Sequence, residues 1–397
     1  MKFHKMFITI FMLVVVTIGA CSSEREVMSP QQPAPAPTAA PAIATAPPPS
    51  APLAPSQPSA PDQPAPAAEP APTPTSEPVT VLPVVENKKQ SVGSEFTEVL
   101  SNIEEIVDPT NINWPRIISI NGDEIVINEK PEKVLTISLG HDEILFGISN
   151  KDQIAGTTTF AQDDGSNIQD ESLGMPTVTT DPESIIVLSP DVVFADAYAS
   201  VDLMDSLEDL GITVIQTPLN NGIEGRKNDV WLMAYITGNL EQASELVSDI
   251  DSKINKINDF SKNEEVQKRV LTLSWWDSYW TAGTGSTEDS IITLAGAVNT
   301  AAENGIESNT TIDKEKLISM NPEVILITQS VSWGGQDFFD QLMSDNSLSS
   351  IDAIKNEQVF MVNPNWWGTL SYWNILGSKQ LIEILLPDSD FESFGDF

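Results

Sequence analysis

Large aromatic side chains recur at the ends of predicted strands in the second half of the chain. Four of them follow a predicted strand at 269–274, one follows the next strand, and a tryptophan pair follows the last. Rings give broad apolar contact and lose little conformational entropy on binding. Loops of soluble proteins rarely carry so many rings unless a ligand covers them. The sequence therefore predicts a ligand-binding surface made of Trp275, Trp276, Tyr279, Trp280, Trp333, Trp366 and Trp367.

The first half of the chain supplies a smaller set at its own predicted strand ends, namely His141, Phe160 and Tyr198. In an α/β sheet, ligands bind outside the carboxyl ends of the strands, so we expect these residues to face the tryptophans across a cleft. His141 has two open interpretations. Its imidazole could be an axial ligand to haem iron or cobalt, or it could be a plain residue of the cleft.

The usual catalytic constellations are missing from the sequence. The chain has two histidines, His4 and His141, and one cysteine, Cys21. No nucleophile with a matching base can be identified, and nothing distinguishes the Asp163-Asp164 pair among 57 acidic residues. His4 and Cys21 lie in the leading segment, outside the predicted folded part, which keeps one histidine and no cysteine and so cannot form a zinc site of the usual type. The sequence therefore predicts a binding protein that is not an enzyme and has no cofactor of its own.

The charge balance restricts the partners. The formal net charge is -37, from 20 basic and 57 acidic residues, which argues against nucleic acid or anionic lipid. Arginine is nearly absent from the predicted strand ends, where Arg226 is the nearest candidate. Because sites for strongly anionic ligands usually contain arginine clusters, the sequence favours a neutral or cationic ligand.

Strands and helices alternate after a predicted hairpin at 116–127, which argues for parallel sheets covered by helices. Three segments of the first half recur in the same order in the second half, which indicates two similar α/β lobes. The pairs are 133–138 with 269–274, 183–193 with 315–325, and, more weakly, 217–220 with 363–366.

A long amphipathic helix is predicted between the repeats, from Asn239 to about Lys262. Apolar residues recur in it at spacings of three and four. At ~1.5 Å per residue it would be roughly 34 Å long. The pattern fits an ordinary surface helix as well as a strut, and the repeats on either side favour the strut.

The first 113 residues are predicted to lie outside the lobes. Residues 1–20 combine Lys2 and Lys5 with an apolar run, which is typical of an export signal. The junction Ile18-Gly19-Ala20-Cys21 resembles the lipobox of bacterial lipoproteins, which implies lipidation of Cys21. Residues 21–113 are predicted to be a disordered tether, because 19 of the 29 prolines lie between Pro30 and Pro83.

The folded part resembles the substrate-binding proteins of bacterial ABC importers, in the iron-chelate and cobalamin group, over about 117–387. The segments 133–136, 143–147, 189–193, 282–286, 294–299 and 321–325 carry the resemblance. It implies a class III binding protein with two Rossmann-like lobes (114–225 and 268–397) joined by helices (226–267). It also implies a monomer that delivers a metal chelate, cobalamin or a ferric siderophore, to an ABC permease. The bound chelate would carry the iron or cobalt. Because ferric catecholates usually require arginine clusters, the arginine-poor strand ends favour a corrinoid or a neutral to cationic ferric siderophore.

The resemblance leaves two alternatives open: a haem-binding protein of the same family, and a surface receptor or sensor without transport. With the lipid anchor, it places the protein on the bacterial cell membrane, facing the periplasm or the exterior. It further implies that Glu143 docks to arginine on the permease. The second lobe departs from the family, because Thr293 stands where an acid is frequent, and either Glu288 or Asp289 is expected to substitute.

Overall fold

A computed structural model describes residues 93–263 and 266–397. The described residues belong to one compact unit. The predicted export signal, Cys21 and the predicted tether as far as residue 92 lie outside the described residues.

The described chain begins with helix α1 (Gly93–Leu100). Phe96 and Leu100 share one face of α1 and are buried, as are Ile103 and Ile106 in the turns that follow. Ile106 also forms a bridge with Ile118. The predicted tether boundary at residue 113 is therefore wrong, since these apolar residues pack into the main hydrophobic core.

The predicted hairpin is confirmed. Strands β1 (Arg116–Ile120) and β2 (Asp123–Ile127) pair antiparallel. Asn121 and Gly122 at the turn have φ of 53° and 96°, and positive φ at both positions is what a type I′ hairpin turn requires.

The first lobe is a five-stranded parallel sheet in the order β5-β4-β3-β6-β7. The alternation of strands with helices explains why the strands are parallel, because two parallel neighbours need a crossover connection. The strands are β3 (Val134–Thr136), β4 (Ile154–Thr158), β5 (Thr177–Val178), β6 (Val192–Ala195) and β7 (Thr213–Gln216). The helices are α2 (Leu139–Ile148), α3 (Gln169–Ser172), α4 (Pro182–Ile186) and α5 (Val201–Glu208).

Two helices lead out of the first lobe. Helix α6 (Ile223–Thr237) ends at Gly238, whose φ of 77° interrupts the helical path. Helix α7 (Leu240–Asn263) then packs against α2 of the first lobe and against two helices of the second. The predicted joining helix is thereby confirmed. The side-chain oxygen of Asn239, just before α7, accepts from Lys130 at 3.1 Å, and its amide donates to Ser149, Gln153 and Thr237.

The second lobe is a mixed sheet in the order β11-β9-β8-β12-β13, and β10 pairs with the start of β8. Strands β12 and β13 run parallel to β8, whereas β9 is antiparallel to β8 and β11. The strands are β8 (Arg269–Trp275), β9 (Tyr279–Ala282), β10 (Val298–Asn299), β11 (Asn309–Ile312), β12 (Val324–Ile327) and β13 (Val359–Met361). The helices are α8 (Thr287–Leu294), α9 (Thr300–Glu303), α10 (Lys314–Met320), α11 (Gly335–Ser344), α12 (Asp352–Lys355), α13 (Pro364–Trp367) and α14 (Ile375–Leu385).

The internal repeat is also visible in backbone conformation and in individual hydrogen bonds to the backbone. After α4 and α10, Ser189 and Asn321 both adopt positive φ, 50° and 43°. The acid two residues later then accepts a hydrogen bond from the backbone at the start of the central strand of each sheet, β3 or β8. Asp191 accepts from the N–H of Lys133 at 2.8 Å, and Glu323 accepts from the N–H of Arg269 at 3.0 Å. The two lobes therefore share one local design.

Among the described residues, no helix is both long enough and apolar enough to cross a membrane.

Candidate ligand-binding cleft

The first lobe presents exposed rings where its strands end. Phe160 lies in a short 3₁₀ turn directly after β4, and its side chain is exposed. Tyr198 follows β6 and is 88% exposed. Both lie at the carboxyl edge of a parallel sheet, where the predicted cleft requires them to be.

The second lobe presents a pair of tryptophans at its own strand ends. The rings of Trp276 and Trp333 meet edge to face, with centroids 5.9 Å apart. Gln329 ties the two loops together, since its Oε1 accepts from the N–H of Trp275 at 2.8 Å and its amide donates to the carbonyl of Trp333. Both rings stay accessible, Trp333 at 66%. The pair is a fixed, exposed aromatic surface.

Two neighbouring cavities lie beside Trp276. One, of about 460 Å³, lies between the lobes and is lined by Asp164 and Gly165 of the first lobe and by Trp276 and Trp333 of the second. The other, of about 380 Å³, lies over the ends of β8 and β9 and shares Trp276 and Thr328 with the first. No lysine, arginine or histidine lines either cavity among the described residues. The cleft is thus aromatic and polar, and it lacks positive charge.

Three predicted site residues of this region lie on strands. Trp275 is the last residue of β8, while Tyr279 and Trp280 belong to β9, which the sequence analysis did not predict. The rings of Trp275 and Tyr279 pack against Phe338, with centroids 6.1 and 6.0 Å away. These two rings therefore support the fold of the second lobe, and Trp280 lines the smaller cavity.

The structure separates the tryptophan pair of α13. Trp367 is fully buried, and its indole N–H donates to Oε1 of Gln380 at 3.0 Å. Trp366 is half-buried and packs against the main core. The prediction that Trp367 binds ligand is wrong, because its ring has no accessible surface. Neither ring lines the two cavities described above.

His141 is also misplaced by the sequence analysis. It is fully buried, and its Nδ1 and Nε2 lie 2.7 Å from the hydroxyl of Ser138 and 2.9 Å from that of Thr217. Burial lowers the pKa of His141 to about 3, so the ring is neutral at physiological pH. Both nitrogens are occupied within the protein, which contradicts a role as a cleft residue or axial ligand. Within 93–263 and 266–397, no group of three or more potential ligand side chains is placed to hold a metal ion.

Glu143 lies in the interior and not on a docking surface. Its carboxylate accepts from the side chain of Asn167 at 2.8 Å, from Ser371 at 2.5 Å and from Thr369. Burial raises the pKa of Glu143, although these hydrogen bonds oppose the shift. A fully buried carboxylate cannot meet a permease arginine, so the docking role implied by the family resemblance is contradicted here.

Glu143 belongs to a larger set of contacts between the lobes, which we call the inter-lobe seam: Glu143, Asn167, Asn221, Arg226, Thr287, Asn365, Thr369, Leu370 and Ser371. Arg226, almost fully buried, donates to the carbonyl of Leu370 and, at 3.1 Å, to Thr287. Asn221 donates to the carbonyl of Gly285 at 3.0 Å, and Asn365 to that of Asp164 at 3.0 Å. The seam fixes the two lobes beside the cleft.

Sequence reasoning missed Asp142, which is fully buried one residue before Glu143. It accepts from Thr136 and, at 2.6 Å, from the hydroxyl of Thr158. Burial raises the pKa of Asp142 to about 7. An acidic pair within a predicted helix start resembles a solvated turn, and no local signal marks it as buried.

The two substitute docking acids differ in their surroundings. Asp289 accepts from the backbone of Gly285 at 3.0 Å and from the side chain of Asn299 at 2.9 Å, which is a structural role at the start of α8. Glu288 lines the smaller cavity. A docking role for either acid stays a prediction.

The fold and the cleft define a class III periplasmic binding protein, with two α/β lobes, one joining helix and a binding site between the lobes. The family model described as periplasmic binding protein matches residues 134–365. The chain belongs to this family, and it is a substrate-binding protein of the kind that ABC importers use.

Three curated relatives share part of the sequence. An uncharacterized ABC transporter substrate-binding lipoprotein of Bacillus subtilis, YvrC, is 23% identical over 68% of this chain and 84% of its own length. The molybdate-binding protein MolA of Haemophilus influenzae is 27% identical over 45% of this chain. A cobalamin-binding protein of Halobacterium salinarum is 24% identical over 51% of it. The match spans only 55% of each of these last two proteins.

Solved structures show the same fold. The periplasmic haem-binding protein HutB of Vibrio cholerae has a TM-score of 0.56 at 22% identity, covering 64% of this chain and 99% of that one. The periplasmic vitamin B12-binding protein BtuF of the same organism has a TM-score of 0.52 at 16% identity, covering 64% and 96%. At these identities the likeness concerns the fold alone.

Proposed function

We propose that this protein is an extracytoplasmic binding lipoprotein that captures a metal chelate, a corrinoid or a ferric siderophore, for an ABC importer. The observation that carries the proposal is the cleft itself. Exposed rings lie at the strand ends of both lobes, and among the described residues no positive side chain lines the two cavities. A chelate of this kind is large and offers broad apolar faces, which such rings cover well.

The charge of the cleft supports a chelate over a small oxyanion. One relative is named for molybdate, and an oxyanion is normally held by arginine, lysine or helix N-termini. The described residues that line the cleft include Asp164 and Glu288 and no cation. An isolated oxyanion would therefore lack a counter-charge here, whereas a neutral or cationic chelate would not need one.

Haem remains the second candidate, because one observation favours it. Tyr198 places a phenol, 88% exposed, at the end of β6, and a tyrosine oxygen can serve as an axial ligand to haem iron. With His141 buried, Tyr198 would be the ligand. A haem complex dependent on Tyr198, and lost in Tyr198→Phe, would select this alternative.

Ligand capture by the tryptophan pair is tested by fluorescence titration. The full chain is titrated with cyanocobalamin, haem, a ferric hydroxamate and a ferric catecholate. We expect at least one chelate to quench fluorescence. Trp276→Ala and Trp333→Ala should each weaken its binding by at least about 30-fold, which corresponds to ~2 kcal/mol, as truncation of an interface anchor does.

The matched control is Trp114→Phe. This ring packs beside Arg116 and Gly238, away from the cleft, so the variant removes one fluorophore and should leave the dissociation constant unchanged. Binding of some chelate that stays within about twofold in both Ala variants would show that these rings are not the site. Failure of every chelate to bind would overturn the proposed function.

We further propose that Cys21 anchors the protein to the membrane. The support is the lipobox-like junction at 18–21 and the description of the Bacillus relative as a lipoprotein. Mass spectrometry should find a diacylglyceryl group on an N-terminal Cys21, and Cys21→Ala should move the protein to the soluble fraction. A mature chain that begins elsewhere without lipid would contradict the anchor.

A further inference from the structure

The smaller cavity contains one carboxylate without a counter-charge. Glu288, in the first turn of α8, is half-buried and lines this cavity together with Trp276 and Trp280. Its carboxylate forms no ion pair within the described part of the chain. Burial raises the pKa of Glu288, as expected for an acid that lacks a positive neighbour.

The wall of the same cavity also contains an unsatisfied polar atom. Thr272 is 2% exposed and lines the cavity, and its hydroxyl is a buried polar atom without a hydrogen-bond partner. A buried unsatisfied hydroxyl is costly unless something completes it. Ser274 and Thr328 add further hydroxyl groups to the lining.

The rings of the cavity favour a positive group over a neutral one. Trp276 and Trp280 border the same space as the Glu288 carboxylate. A cation gains from a tryptophan face and from a carboxylate at once, and it neutralises the buried charge. A protonated amine also has three N–H donors, from which the Glu288 carboxylate and the hydroxyl groups of Ser274 and Thr328 can accept hydrogen bonds.

The geometry points to a subsite for a protonated amine carried by the bound metal chelate, with Glu288 as counter-ion. The inference rests on the proposed function and deepens it. The chelate body would occupy the cavity between the lobes, and a cationic arm would enter the neighbouring cavity of about 380 Å³, which shares the lining residues Trp276 and Thr328 with it. The ligand class is thereby narrowed to chelates with a cationic arm.

The test compares two chelates that differ by one charge. The full chain is titrated with a ferric linear tris-hydroxamate that has a free terminal amine, and with its N-acetyl derivative. We expect the free amine to bind at least about tenfold tighter. Glu288→Gln keeps the shape and removes the charge, so it should bring the two affinities within about twofold. Glu315→Gln, at an exposed acid on α10, should keep the full preference.

Equal affinity for the two chelates in the unmodified protein would overturn the subsite, as would a preference that survives in Glu288→Gln. If neither hydroxamate binds while cobalamin or haem does, the amine subsite is wrong and the proposed function stands. If no chelate of either set binds, the amine subsite and the proposed function are both wrong. The comparison in the unmodified protein decides the matter even if a variant folds poorly.

Discussion

Replacement of Trp367 by Ala is expected to lower the free energy of unfolding by about 3–5 kcal/mol, the usual cost of removing a buried large aromatic side chain. The ring is fully buried, and Gln380 would lose the hydrogen bond that its side-chain oxygen accepts from the indole N–H. Urea denaturation followed by circular dichroism measures the change.

The matched control is Trp333→Ala, since its ring is largely exposed. It should change the free energy of unfolding by no more than about 0.5 kcal/mol, while it weakens chelate binding. If Trp367→Ala is as stable as the original protein but binds chelate poorly, Trp367 is a ligand-binding residue of the cleft and this prediction is wrong.

Glu143→Arg is expected to abolish cooperative folding or to cost at least about 3–5 kcal/mol, because it places an unpaired charge in the interior. The substitution removes an acceptor shared by Asn167, Thr369 and Ser371. It also adds a second cation near Arg226, whose charge interacts with that of Glu143. Yield of soluble protein and urea denaturation would show the loss.

Two further variants serve as controls for Glu143→Arg. Glu208→Arg reverses an exposed acid at the end of α5 and should be tolerated. Glu143→Gln removes the charge with little change of shape and should cost much less than Glu143→Arg. If Glu143→Arg folds with normal stability and normal affinity but stops uptake in cells, the docking role implied by the family resemblance is right and the buried network is not decisive.

The architecture was largely predictable because its signals are local. The helical spacing of apolar residues predicted α7, which is 24 residues long, and the Asn121-Gly122 turn predicted the first hairpin. The repeated proline turns after α4 and α10 indicated two lobes, and both carry a positive φ at the residue before proline. Strand β9 was missed because its sequence, Tyr279–Ala282, is four residues long and continues an aromatic run that resembles a binding loop.

The site was harder to predict because burial of a polar or aromatic residue depends on distant partners. Ser371, which bonds to Glu143, is 228 residues away in sequence. The two tryptophans of α13 are neighbours, yet consecutive helical residues point about 100° apart. Only Trp367 therefore enters the core. The strand-end rule placed Trp276, Trp333 and Tyr198 correctly at exposed positions, since it depends on topology alone.

The inter-lobe seam determines how another protein can detect that a ligand occupies the cleft. Its buried hydrogen bonds from Asn167, Arg226 and Ser371 would have to break before the lobes could swing apart. The empty and occupied forms should therefore have nearly the same outer shape. A partner cannot then sense occupancy from a large closure of the lobes, and must detect the ligand's own surface at the mouth of the cleft. Capture should accordingly follow single-step kinetics, with a rate proportional to ligand concentration.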